Sequence, residues 1–139
     1  MLAGESLRLW AVGHIGPASR TRDDGTPRVV DAGPYGRLRN PLYVGNWLMW
    51  VGVGALSGLL WAGVWAIWMA VQVHLIVLWE ARNLTGGLGD AYAAYRERVP
   101  RWLPLGPGGA SGWNVRVALA SERSTLVAVV VVLALFGLR

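Results

Sequence analysis

Cysteine is absent from the 139-residue chain, which excludes disulfides, thiol catalysis and thiolate metal sites. Lysine is absent too, so the formal net charge of +5 rests on arginine alone. Phenylalanine occurs once, against 9 tryptophans. Tryptophan in that abundance favours membrane–water interfaces, where the ring is buried and the indole N–H stays hydrated. Charge is missing altogether between Leu42 and Trp79, where there is no Asp, Glu, Lys or Arg. No secretory signal is present either: Glu5 and Arg8 interrupt the apolar positions of residues 1–16, and no small-residue cleavage site follows. HExxH, P-loop and GxSxG motifs are lacking, and histidines and acidic residues are too few for a metal site.

What is present is apolar. A hydrophobic share of 54% and a mean hydropathy of +0.39 exceed the values of soluble domains. The expectation is an all-α integral membrane protein forming a single domain over residues 1–139. Its arginines sit beside apolar stretches and not along one polar face. They read as topology determinants and contacts to anionic membrane lipids, with no nucleic acid as partner. Arginine in place of lysine, with much Ala, Gly and Val, points to a GC-rich, bacterial coding sequence.

Along the chain, residues 3–15 predict a short amphipathic helix. Residues 16–41, rich in Pro and Gly, predict a loop on the cytoplasmic side, with Val29-Val30 as a brief extended piece. Residues 42–84 predict a helical hairpin with its turn at Ser57-Gly58. The first arm, 42–57, is about 24 Å long, short of the ~30 Å hydrocarbon core. Gly54 and Gly58 allow close helix approach, here within the hairpin. On the second arm Trp61, Trp65, Trp68, Gln72, Leu75 and Trp79 share one stripe, read as a lipid-facing or packing ridge. Gly86-Gly87 and Gly89 are expected to end that arm. A segment at 85–116 follows, containing a short helix to Arg98 with Tyr92 and Tyr95 on one face and a flexible linker at 106–112. Residues 117–138 predict a C-terminal transmembrane helix.

Arg20, Arg22, Arg28, Arg37 and Arg39 precede the hairpin, and Arg82, Arg96, Arg98, Arg101 and Arg116 follow it. A hairpin places both groups on one side, and the positive-inside rule makes that side cytoplasmic. Chemistry there falls to a few residues. Arg39 supplies a planar cation for a carboxylate or phosphate. Asn40 precedes Pro41, which can open the helix and leave free N–H groups near Leu42 and Tyr43. Gly45 permits close approach of a ligand or of backbone. Glu80 can accept hydrogen bonds or pair with Arg39. His74 lies off the tryptophan stripe, and either a structural or a pocket-lining role fits it.

The series Gly33-Pro34-Tyr35, Arg39-Asn40-Pro41, Tyr43 and Gly45, followed by Glu80, Leu84, Gly89, Tyr92, Tyr95 and Val99-Pro100-Arg101, resembles the isoprenylcysteine carboxyl methyltransferase and phospholipid methyltransferase superfamily. The superfamily pattern is similar to GPYxxxR[HN]PxYxG, then EExxL, then FGxxYxxY and a VPR-like close. Ser121-Glu122-Arg123 also resembles flanks of bacterial members. The resemblance implies an integral-membrane enzyme that transfers a methyl group from S-adenosylmethionine to a lipophilic small-molecule or lipid acceptor entering from the bilayer. It places Arg39, Asn40, Tyr43 and Gly45 at the cofactor or substrate end and Glu80 near the cofactor. On that basis Arg39, Asn40 and Glu80 are expected to be catalytic, and the residue chemistry adds His74, Tyr92 and Tyr95 to Tyr43, Gly45 and Glu80 as expected cofactor contacts. The expected location is the bacterial cytoplasmic membrane, with the site on the cytoplasmic side.

Three departures stand out. Asn40 replaces a frequent His, and Ala81 replaces the usual second Glu. Members also usually carry membrane helices ahead of the segment equivalent to residues 4–15, so the expectation is a truncated reading frame or a reduced member. In the latter case a homo-oligomer or a partner chain would supply those helices. The alternative readings are a non-catalytic membrane protein of the same fold and a small oligomeric transporter, which would need ionisable groups within its spans.

Overall fold

A computed structural model describes residues 1–15, 29–109 and 112–137. The expectations for residues 16–28, including Arg20, Arg22 and Arg28, and for 110–111 and 138–139 fall outside these. The described residues are helical and contain no strand: α1 (Leu2–Ile15), a 3-10 turn (Gly33–Gly36), α2 (Pro41–Leu56), α3 (Leu59–Arg98) and α4 (Val115–Gly137). α3 and α4 are long and apolar enough to cross a membrane. The described residues thus form an all-α fold of the integral-membrane kind. Val29 and Val30 form no extended element.

The hairpin forms where the sequence places it. Pro41 occupies the first turn of α2, where its missing N–H costs nothing. At the far end Gly58 takes a φ of +122°, a conformation that a side chain would oppose. Gly54 is the contact between the arms, since a Cβ there would lie 2.8 Å from the Trp61 carbonyl oxygen. The Trp47 indole N–H donates to the Ala66 carbonyl at 2.9 Å, and Trp50 stacks on Trp65 with centroids 4.9 Å apart. Trp61, Trp68, Leu75 and Trp79 are exposed, which fits a lipid-facing stripe. The second arm is longer than expected. It stays helical through Gly86 and Gly87, and leaves helical geometry only at Gly89, at φ +51° and ψ −128°.

α1 departs most from expectation. It is no surface amphipathic helix: it packs against α2, α4 and the 3-10 turn. Glu5 is buried and Arg8 points inward, while Leu2 and Trp10 face out. Charge inside and apolar residues outside is the arrangement that lipid surroundings favour. Arg8 ties three helices together. Its Nε and Nη2 donate to Glu122 of α4 at 3.2 and 2.6 Å, and its Nη1 donates to Asn46 of α2. The contact requires small residues, because a Cβ at Gly4 would sit 2.9 Å from the Met49 backbone nitrogen and still nearer the Gly45 carbonyl oxygen. Both are backbone atoms that cannot swing aside. Gly4→Ala is therefore expected to destabilise the protein by about 1–3 kcal/mol. An unaltered melting temperature in detergent would show that the α1–α2 approach does not need this glycine.

α4 starts where Asn114 caps it, its Oδ1 accepting from the Arg116 and Val117 N–H groups at 3.0 and 3.2 Å. The Asn114 N–H in turn donates to the Gly13 carbonyl at 2.9 Å, which fixes α4 beside the end of α1.

Candidate active site

Two segments far apart in sequence meet at one end of the bundle. The first is the Gly33–Asn40 stretch before α2, and the second is the end of α3 with the residues after it. Their backbones are stitched together. The Arg39 N–H donates to the Pro100 carbonyl at 2.9 Å, and the Gly106 and Gly108 N–H groups donate to the Arg37 and Gly36 carbonyls at 2.9 and 3.0 Å. The expected flexible linker at 106–112 is thus, over its described residues, partly a packed strap. Its glycines permit this, since a Cβ at Gly106 would lie 2.9 Å from the Arg37 carbonyl oxygen.

Between the two segments lies a small core of Tyr92, Tyr95 and Val99, with Val29, Ala81, Leu84 and Leu88 packed on it. The Tyr95 hydroxyl donates to the Tyr35 carbonyl at 2.8 Å. Tyr92 and Tyr95 lie with ring centroids 6.1 Å apart and are both buried. They form the wall of the site and are not open aromatic faces.

Arg39 stands at the edge of this core beside the Tyr92 hydroxyl. Burial holds its guanidinium below the ordinary arginine value, the contact with Tyr92 opposes this, and the nearby Arg101 and Arg96 add to the lowering. Its Nε is buried without a hydrogen-bond partner among the described residues. A cleft of about 330 Å³ lined by Arg39, Ala93, Arg96 and Glu97 opens next to it. The arrangement suits an anionic group, which a guanidinium recognises through its fixed fork of donors. Asn40 donates its Nδ2 hydrogen to the Arg101 carbonyl at 3.1 Å, so its amide closes the segment after α3 over the site. Tyr43, at the start of α2, lies beside the Glu80 carboxylate; burial first and then this neighbour push its phenol up to about 12.

The structure brings Arg39 to Tyr92 and Tyr95 and Asn40 to Arg101, and sets Tyr43 beside Glu80. It does not bring Gly45 or His74 to them. Gly45 is buried under α1, where a Cβ would lie 2.6 Å from Arg8 Cγ and 2.9 Å from the Gly4 carbonyl oxygen. The close approach that Gly45 permits is that of a neighbouring helix. His74 is exposed, and its ring lies 6.2 Å from that of Trp102. Ala81 faces the apolar core, so Glu80 stands as a single carboxylate where the superfamily pattern has two. Sequence reading missed Arg8, Asn46 and Glu122. The available signal was a pair of opposite charges, Glu5 and Arg8, one turn apart in an otherwise apolar helix.

The family model described as phospholipid methyltransferase matches residues 1–90 of the chain. No curated protein and no solved structure matches it.

Proposed function

The chain belongs to the phospholipid methyltransferase family and is in general terms a membrane methyltransferase, and from that premise we propose that it transfers a methyl group from S-adenosylmethionine to a lipophilic acceptor at its arginine-rich face. That face is taken as the cytoplasmic one, because Arg37, Arg39, Arg96, Arg98 and Arg101 gather there. The acceptor class comprises an isoprenylcysteine-like carboxylate, a phospholipid or a thiol, reached from the bilayer.

One observation carries the reading. The Arg39 Nε is buried with no protein partner among the described residues beside a cleft lined by Arg39, Ala93, Arg96 and Glu97, and Tyr43 and Glu80 lie within electrostatic reach of the neighbouring Tyr35. The donor set fits the cofactor: a cation for a carboxylate, and a carboxylate for hydroxyls or for positive charge. When bound, S-adenosylmethionine supplies an electrophilic methyl group on a positively charged sulfur. Arg39 holds a carboxylate, of the methionine moiety or of the substrate. Glu80, oriented by the Tyr43 hydroxyl, accepts hydrogen bonds or favours the positive charge. Asn40 holds the segment after α3 in place and offers no titratable group. Positioning of donor and acceptor accounts for much of the acceleration of such a transfer, and a carboxylate acceptor, already an anion, needs no general base.

Ala81 favours a second reading, a relative that keeps the pocket and lacks turnover. Two measurements separate the readings. Saturating S-adenosylmethionine should raise the melting temperature of the purified protein, because a ligand that binds only the folded state stabilises it. Radiolabelled methyl should then appear in the lipid fraction of membrane extracts. Stabilisation without transferred label would leave the non-catalytic reading, and no stabilisation would remove both.

A further inference from the structure

We propose that the Tyr35 hydroxyl is a ligand contact, donating a hydrogen bond to the ribose diol of the bound cofactor while Glu80 accepts one from it. This rests on the methyltransferase reading above and adds a residue to its site. Tyr35 is 7% exposed, yet its hydroxyl has no hydrogen-bond partner among the described residues. Buried hydroxyls in folded proteins are nearly always paired, and leaving one unpaired is unfavourable. The side chain is not placed by its hydroxyl. The backbone anchors it, the Tyr35 N–H donating to the Ala32 carbonyl at 3.1 Å and the Tyr35 carbonyl accepting from the Tyr95 hydroxyl at 2.8 Å. A fixed ring with an unpaired polar tip is an arrangement completed by something else.

The surroundings narrow the chemistry of that partner. Tyr95, Glu80, Arg8 and Tyr43 all lie within electrostatic reach of the Tyr35 hydroxyl. Arg8 is already engaged by Glu122 and Asn46. Burial raises the phenol well above its usual range, so the group stays protonated and can act as a donor. The Glu80 carboxylate would repel an anionic acceptor there. A hydroxyl satisfies both neighbours, accepting from Tyr35 and donating to Glu80. A vicinal diol offers two such groups, and the ribose of a nucleoside cofactor carries one.

The test uses the full chain in detergent with S-adenosylhomocysteine as probe. Tyr35→Phe keeps the ring and removes the oxygen. Its unliganded melting temperature should equal or exceed that of the wild type, because no protein hydrogen bond is lost. Its dissociation constant for S-adenosylhomocysteine should rise about three- to tenfold, the size of one neutral hydrogen bond. The 2′,3′-dideoxy analogue of the probe should bind wild type and Tyr35→Phe equally. Wild-type affinity in Tyr35→Phe, a lower unliganded melting temperature, or the same loss towards the dideoxy analogue would each overturn the inference alone. A wild-type chain that does not bind S-adenosylhomocysteine would instead remove the methyltransferase site and this contact with it.

Discussion

Replacing Arg8 with Ala should destabilise the protein by about 3–5 kcal/mol, the range for removing one partner of a buried ion pair. Glu122 is 1% exposed on a helix apolar enough to span the membrane, and Arg8 approaches it to 2.6 Å. Losing the guanidinium also frees Asn46 and removes the cation beside Glu5, whose carboxylate lies 3.7 Å from the Arg8 Nε. Three helices are then no longer tied at this level. The paired replacement Arg8→Met with Glu122→Leu should recover part of the loss, because the apolar pair leaves no uncompensated charge at Glu122, while Glu5 and Asn46 stay without Arg8. Unfolding in detergent, read as a double-mutant cycle, measures the difference. An Arg8→Ala protein as stable as the wild type would show that α1 is held by packing alone. A paired variant as unstable as Arg8→Ala would assign the loss to Glu5 and Asn46, which lose their Arg8 partner in both variants.

The same residues mark the limit of what the sequence reveals. The hairpin is legible because its signals are local: a charge-free run, a proline to open it, and Ser57-Gly58 to turn it. α4 is legible for the same reason, from its apolar run. α1 is not, since whether Glu5 and Arg8 face water or the bundle depends on Glu122, which lies 114 residues beyond Arg8. Gly86 and Gly87 have the appearance of a helix end, yet a glycine within a helix costs only about 1 kcal/mol relative to alanine. The chain breaks where φ turns positive, at Gly89. At the site, motif order singles out Arg39, Tyr92 and Tyr95, which lie together, and Tyr43 and Glu80, which lie beside each other. Motif order does not separate a glycine that admits a ligand from one that admits a helix, which is how Gly45 is misplaced. His74 fails differently. Helical periodicity gives its face, but only the fold shows that Trp102 lies beside it.

Glu80→Gln should weaken cofactor binding and lower methyl transfer by about 2- to 30-fold, while leaving the unliganded protein as stable as before. The substitution keeps the shape and an acceptor oxygen, so the Tyr43 hydroxyl retains a partner. What it removes is the negative charge, and hydrogen bonds to a charged group contribute roughly 1.5–3 kcal/mol, against about 1 for neutral ones. The difference matters more here than in members with two adjacent carboxylates. Ala81 faces the Tyr92–Tyr95–Val99 core and leaves no second anion to take over the contact. Ligand-induced thermal shifts separate this from a folding defect, because the shift falls while the unliganded melting temperature does not. Wild-type affinity in Glu80→Gln would mean that Glu80 beside Tyr43 serves packing or orientation in the membrane, and that the cofactor binds elsewhere on the chain.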